Sequence, residues 1–166
     1  MAHNLVRSLL SFRGINPLRG SMRTFSIMYT ARCTATGGRD GHVVCDDDRS
    51  HLDIKLTKPK ALGGSGASGT NPEELFAAGY SACFLAAMGL AAQNLKKPLP
   101  QTSSVNAAVS IGKHDNGNYG FQVELTVKIP NVKQDDADAL AKAAHNICPY
   151  SHATRNNIDV NIKTII

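Results

Sequence analysis

The sequence has no tryptophan, and aromatic residues make up only 5% of its 166 positions. Any core must therefore be chiefly aliphatic. No uninterrupted apolar run reaches the roughly 20 residues that span a bilayer. The longest mostly apolar stretch, Leu75 to Ala92, is interrupted by Tyr80 and Ser81 and reads as a buried core helix. There is no Cys-x-x-Cys, so the common zinc spacings are missing. A glycine-rich run from Leu62 to Thr70 has no lysine after its last glycine, which argues against a phosphate-binding loop. No internal repeat is visible.

Acid is missing in one place above all. No Asp or Glu precedes Asp40, while Arg7, Arg13, Arg19 and Arg23 fall in the first 23 residues. The net charge is +5 from 18 basic and 13 acidic residues. Setting those four arginines aside leaves 14 against 13, a near-neutral remainder that argues against nucleic-acid binding. The basic segment contains serine and leucine, with Val6, Leu9, Leu10 and Phe12 able to share a helix face. Residues 1–26 are expected to be a disordered mitochondrial transit peptide, and residues 27–166 one folded domain delivered to the matrix.

The rest of the chain is consistent with one globular domain: hydrophobic residues are 42% and charged residues 19%. Residues 27–36 are β-prone. Gly37-Gly38-Arg39-Asp40-Gly41 makes a tight turn, and His42–Cys45 returns as a strand. Asp46-Asp47-Asp48 is a second turn, and Leu52, Ile54 and Leu56 alternate as in a half-buried strand. Asn71 is a predicted N-cap with Pro72 at N1 and Glu73 and Glu74 at the positive end of the helix dipole. This helix runs to about Gln93; being apolar nearly all round, it should be buried on most sides. Residues 105–111 and 119–129 form a hairpin about an Asn-Gly turn. Gln134–Ile147 is a second helix ended by Pro149, and Ile158, Val160 and Ile162 form a last strand. Strands separated by isolated helices predict α+β with mainly antiparallel sheets.

Four cysteines without a secretory signal do not suggest a structural disulfide framework; a redox role for one pair fits better. Cys33 and Cys45 read as ordinary strand residues. Cys83 and Cys148 each follow an apolar, helix-forming stretch. If they meet they form a redox centre; if not they are small buried hydrophobes. Burial alone raises a thiol's pKa, so an active Cys83 needs a cation. Arg39, in its glycine-flanked turn, is a candidate, and Glu73 a carboxylate that could orient it. His145, Cys148 and His152 have a loose metal-like spacing, but Pro149 intervenes and a fourth ligand is missing, so no metal site is expected.

Three segments together add a resemblance. Thr36-Gly37-Gly38-Arg39-Asp40-Gly41, the run from Asn71 to Phe84, and Cys148-Pro149-Tyr150-Ser151-His152-Ala153-Thr154-Arg155 followed by Asn157-Ile158-Asp159-Val160 resemble the organic hydroperoxide resistance (Ohr) proteins of the Ohr/OsmC family. The likeness is colinear over about residues 28–166, and the Gly79-Tyr80 and Tyr150-Ser151 pairs favour the Ohr branch over the OsmC branch. It implies antiparallel β-sheets wrapped around two central helices in an intertwined homodimer. It implies Cys83 as peroxidatic cysteine, Cys148 as its resolver, and Arg39 with Glu73 as the activating pair. It further implies reduction of organic hydroperoxides, no bound metal, haem or flavin, and dihydrolipoamide or lipoylated proteins as external reductant. Leu75, Phe76, Tyr80, Phe84 and Met88 would line an apolar substrate site. The alternatives are a non-catalytic hydroperoxide- or lipid-binding sensor of the same fold and an OsmC-type peroxidase. One tension stands out: Glu73 and Cys83 lie about 15 Å apart along a straight helix. A break near Gly79 is expected to close the gap; a role for Glu73 across the dimer, or an arginine spanning the gap, are the other possibilities.

Overall fold

The computed structural model describes residues 25–46 and 52–166. The chain divides into two units, Met1–Ala31 and Arg32–Ile166. Of the first, residues 25–31 are described: they carry no helix or strand, and Phe25, Ile27, Met28 and Tyr29 are exposed. Most of the expected transit peptide lies outside the described residues, as do Asp47 and Asp48 of the expected second turn.

In the second unit the β-prone segment yields a strand only where a neighbour supplies a ladder. β1 (Cys33–Thr36) pairs antiparallel with β2 (His42–Cys45), and β2 with β3 (Asp53–Lys55). The expected strand from residue 27 is thus cut to four residues, because β2 offers only four partners. Gly37 and Gly38 adopt φ of 70° and 61°, and a single 3₁₀ turn, Gly38–Asp40, sits at the tip. Asp40 ties the tip down by accepting from the Lys58 amide at 2.8 Å.

The helix α1 runs unbroken from Pro72 to Leu95. Asn71 caps it, its side chain accepting from the Glu74 amide at 2.9 Å. β4 (Ser104–Lys113) and β5 (Tyr119–Lys128) form the expected hairpin. α2 (Gln134–Ile147) and the short α3 (Pro149–Thr154) then lead to β6 (Asp159–Ile165), which lies parallel to β5. That one parallel pair needs a crossover, and α2 with α3 supplies it. The sheet is one-sided. Val123, Leu125 and Val127 point from β5 into a core shared with Tyr80, Phe84 and Met88 of α1 and Leu140 and Ala144 of α2.

The expectation that α1 is buried on most sides fails within one chain. Its buried stripe is Tyr80, Phe84, Ala87, Met88 and Ala91, while Ala78, Ala82, Ala86 and Leu90 form a second apolar stripe left exposed. By length and composition α1 is apolar enough to cross a membrane, yet it packs against β4, α2 and α3.

Candidate active site

Cys83 and Cys148 meet. They are 65 residues apart in sequence, and their sulfurs stand 3.7 Å apart. Cys83 projects from the middle of α1 and is half-buried; Cys148, at the N-cap of α3, is fully buried. The geometry follows from Pro149. Pro149 lacks an amide hydrogen and is well placed as the first residue of a new helix, so α2 ends and α3 starts at Cys148.

α3 is held on α1 by aromatic and hydroxyl contacts. Tyr150 stacks on Tyr80 with ring centroids 5.4 Å apart and lies 5.6 Å from the ring of Phe76. The Tyr80 hydroxyl is 2.9 Å from the Ser151 hydroxyl and 3.5 Å from that of Thr154, all three buried. Tyr150 and Ser151 thus fix where Cys148 lies.

Gly79 does not break α1, which corrects the expected kink. A Cβ at Gly79 would lie 2.4 Å from the Tyr150 hydroxyl oxygen. The glycine makes room for that ring against the helix.

Arg39 and Glu73 also meet, as a bidentate pair: Arg39 Nη1 donates to Glu73 Oε2 at 2.8 Å and Nη2 to Oε1 at 2.6 Å. The bond to Arg39 lowers the Glu73 pKa against the opposing effect of burial. The bond to Glu73 raises that of Arg39. Both groups stay charged. The pair sits at the N-terminal end of α1, and Cys83 lies ten residues further along the same helix.

Two charged residues and two sulfurs therefore form two clusters within one chain. Burial pushes the Cys83 thiol up, the neighbouring Cys148 adds to this, and the Tyr150 backbone N–H works in the opposite direction. An arginine held at both guanidinium nitrogens by Glu73 does not span the roughly 15 Å of helix rise between them.

Of the expected substrate-lining residues, Tyr80, Phe84 and Met88 are fully buried core residues. Their period puts them on the helix face that enters the core shared with Val123, Leu125 and Val127, not on an opening. Leu75 and Phe76 are half-buried. A cavity of about 480 Å³ opens instead beside Arg39, lined by Arg39, Lys58, Leu62, Ile111, Tyr119 and Phe121. Phe121 stacks on Phe76 with centroids 5.8 Å apart, which joins this cavity to the aromatic cluster around Tyr150. Tyr119 and Phe121 share a face at the exposed end of β5; two aromatics at that spacing in a chain so poor in them was the overlooked signal.

Cys33 and Cys45 are disulfide-bonded across β1 and β2, which overturns their reading as ordinary strand residues. Only a strand register pairs them, and the Gly37–Gly41 turn sets it.

The OsmC-like protein family matches residues 64–163. An organic hydroperoxide resistance protein of Xanthomonas axonopodis pv. citri is 48% identical over 136 residues, covering 82% of this chain and 94% of its own length. The chain belongs to the Ohr/OsmC family. The organic hydroperoxide resistance protein OhrB of Bacillus subtilis is 39% identical over 137 residues, covering 82% of this chain and 97% of its own. Among solved structures, an organic hydroperoxide resistance protein from Legionella pneumophila has a TM-score of 0.78 at 39% identity, covering 85% of this chain and all of that one. A second, from Elizabethkingia anophelis, has a TM-score of 0.77 at 44% identity, over 84% of this chain and 98% of its own. These Ohr/OsmC relatives support a peroxide-related function of Ohr type, and the α+β fold is theirs.

Proposed function

We propose that this protein is a cysteine-based peroxidase that reduces alkyl or lipid hydroperoxides to alcohols and is recycled by dihydrolipoamide or lipoylated proteins. The observation that carries the reading is the 3.7 Å approach of two free sulfurs that lie 65 residues apart in sequence. The Cys83 thiolate attacks the distal peroxide oxygen; the O–O bond breaks, the alcohol leaves, and Cys83 becomes a sulfenic acid. Cys148 displaces the hydroxide as water, giving a Cys83–Cys148 disulfide. The sulfurs need close only about 1.7 Å to reach bonding distance. A dithiol then restores both thiols by exchange and leaves as its own cyclic disulfide.

Activation of Cys83 uses a second copy of the chain. The straight α1 separates Glu73 from Cys83 within one chain, and the exposed stripe Ala78, Ala82, Ala86 and Leu90 offers a face for a second α1. In a homodimer the partner's Arg39–Glu73 pair then reaches Cys83, offsets its burial and polarises the peroxide. The apolar cavity beside Arg39 takes the alkyl group. No resident cofactor is used, since the two sulfurs carry both electrons. The basic N-terminal segment directs the protein to mitochondria; a mature mass equal to that of the full chain would remove this part.

The test is consumption of cumene hydroperoxide with dihydrolipoamide, with and without chelator, alongside the solution mass of the protein. Turnover that disappears in Cys83→Ser, withstands the chelator and exceeds that with thioredoxin is expected, from a dimer. Equal peroxide loss in Cys83→Ser would sink the enzyme, and a monomer with full activity would sink the shared site.

A further inference from the structure

The second cysteine pair lies in the hairpin that carries Arg39. β1 and β2 flank the turn, and the Cys33–Cys45 bond joins their far ends. Only these two four-residue strands lead to and from the Gly37–Gly41 tip. Among the described residues β1 is the edge strand of its sheet, with β2 as its strand neighbour, and it is exposed along its whole length. The Asp46 amide donates to the Arg32 carbonyl at 2.9 Å just outside the pair. Cys33 and Cys45 therefore occupy a non-hydrogen-bonded position of the ladder, where facing side chains come closest. The bond thus adds a tie where the ladder itself supplies no hydrogen bond. Cys33 is exposed and Cys45 half-buried, whereas Cys148 is fully buried. A small dithiol has access to the hairpin pair.

We infer that the Cys33–Cys45 disulfide is a reversible redox clamp: closed, it holds the hairpin that presents Arg39; open, it lets Arg39 drift from the bidentate geometry the peroxide reaction needs. The inference rests on the function proposed above. Cys33 and Cys45 are positioning residues, acting through Arg39. Opening takes two electrons and two protons from a dithiol, which leaves as a cyclic disulfide. Closing uses an organic hydroperoxide: one thiolate takes the distal oxygen and releases the alcohol, and the second thiol displaces water. Hydroperoxide thus closes the clamp and a rising dithiol pool opens it, matching the readiness of Arg39 to the supply of substrate. The hairpin stays anchored in either state by the bond from the Leu56 amide to the Gly41 carbonyl at 2.8 Å and by the Asp40 contact with Lys58. Opening therefore loosens the tip without detaching it.

The test poises the full-length protein in graded dihydrolipoamide–lipoamide mixtures and counts open and closed Cys33–Cys45 by differential alkylation and peptide mass spectrometry. At each poise the rate of Cys83 oxidation by cumene hydroperoxide is taken in a single turnover. The pair is expected to open reversibly, with the oxidation rate falling on the order of tenfold as it opens, since small misplacements of a positioning group cost that much or more. The loss should fall on kcat/KM for peroxide and not on that for dithiol. Cys33→Ser/Cys45→Ser should sit at the open rate at every poise. A rate independent of the pair's state, or a pair still closed where Cys83 and Cys148 are fully reduced, would overturn the clamp. If Cys83 reacts with hydroperoxide in neither state, the proposed function falls, and the clamp is then read from deuterium uptake of segment 33–45. Uptake at the turn that rises on reduction supports it; unchanged uptake overturns it.

Discussion

The two cysteine pairs are opposites in almost every respect. Cys33 and Cys45 are 12 residues apart and joined to each other across one small hairpin, Cys33 exposed and Cys45 half-buried. Cys83 and Cys148 are 65 residues apart and free, Cys83 half-buried and Cys148 fully buried. A local turn is enough to bring the first pair together. The second pair meets only if two helices and the sheet beneath them are correctly assembled. Its proximity is thus a property of the whole domain, and sulfurs brought together at that cost are the better candidates for chemistry.

The sharpest way to break this contrast is to delete one sulfur of the sheltered pair. Cys83→Ser should reduce hydroperoxide turnover to background, while Cys148→Ser should still consume one equivalent of peroxide and leave a sulfenic acid that dimedone traps. If either serine variant in the exposed pair had the same effect, the division of labour would be wrong. Next in size is Arg39→Met, expected to lower kcat/KM for hydroperoxide by about a hundredfold or more. It should also move the pH dependence of Cys83 alkylation upward, since burial already raises that thiol. An unchanged alkylation profile would mean that Arg39 never reaches Cys83.

Gly79→Ala separates two explanations by sign. A helix that merely tolerates a glycine gains about 1 kcal/mol from alanine. Here the new methyl meets the Tyr150 hydroxyl oxygen at 2.4 Å. A loss of about 1–3 kcal/mol is expected from denaturant unfolding, with slower Cys83–Cys148 bond formation. Smallest is the acid limb. Glu73 is held below its ordinary value by Arg39, so the pair's contribution is complete above the usual glutamate range. It fades as pH falls through the lowered value. Solvent screens it, since the Arg39 side chain is 35% exposed. Glu73→Gln should therefore flatten the stability–pH curve only below pH about 4.

Much of the local structure could be read from the residues. Asn71-Pro72 marked the start of α1, Asn-Gly the β4–β5 turn, and the period of Gln134–Ile147 its helix, because each depends on neighbours in sequence. What could not be read depended on neighbours in space. Gly79 looked like a breaker because its partner, Tyr150, is 71 residues away. The order of β6 beside β5 has no local signature. The Cys33–Cys45 bond depends on the β1–β2 register, whereas the absence of a secretory signal speaks only to compartment. The residues beside Arg39 have no such signature, because strand alternation puts Tyr119 and Phe121 on the same face as Val123 and Leu125, where they read as core and not as the wall of a cavity. Arg39 and Glu73 are a candidate pair on their chemistry, to which the family resemblance adds a role, and the structure supplies the bidentate contact itself.

α3 has only six residues, too few to persist as a helix on its own. Its shape is borrowed from α1 through the buried hydroxyls of Tyr80, Ser151 and Thr154, and Thr154 also bonds back to the Tyr150 carbonyl at 3.0 Å. The loan has a mechanical consequence. Because α3 is already moored beside Cys83 before any sulfur bond exists, each cycle of oxidation and reduction asks for a rotation of side chains and not for the melting of a helix. A resolver docked this way needs no unfolding to act and no refolding to reset.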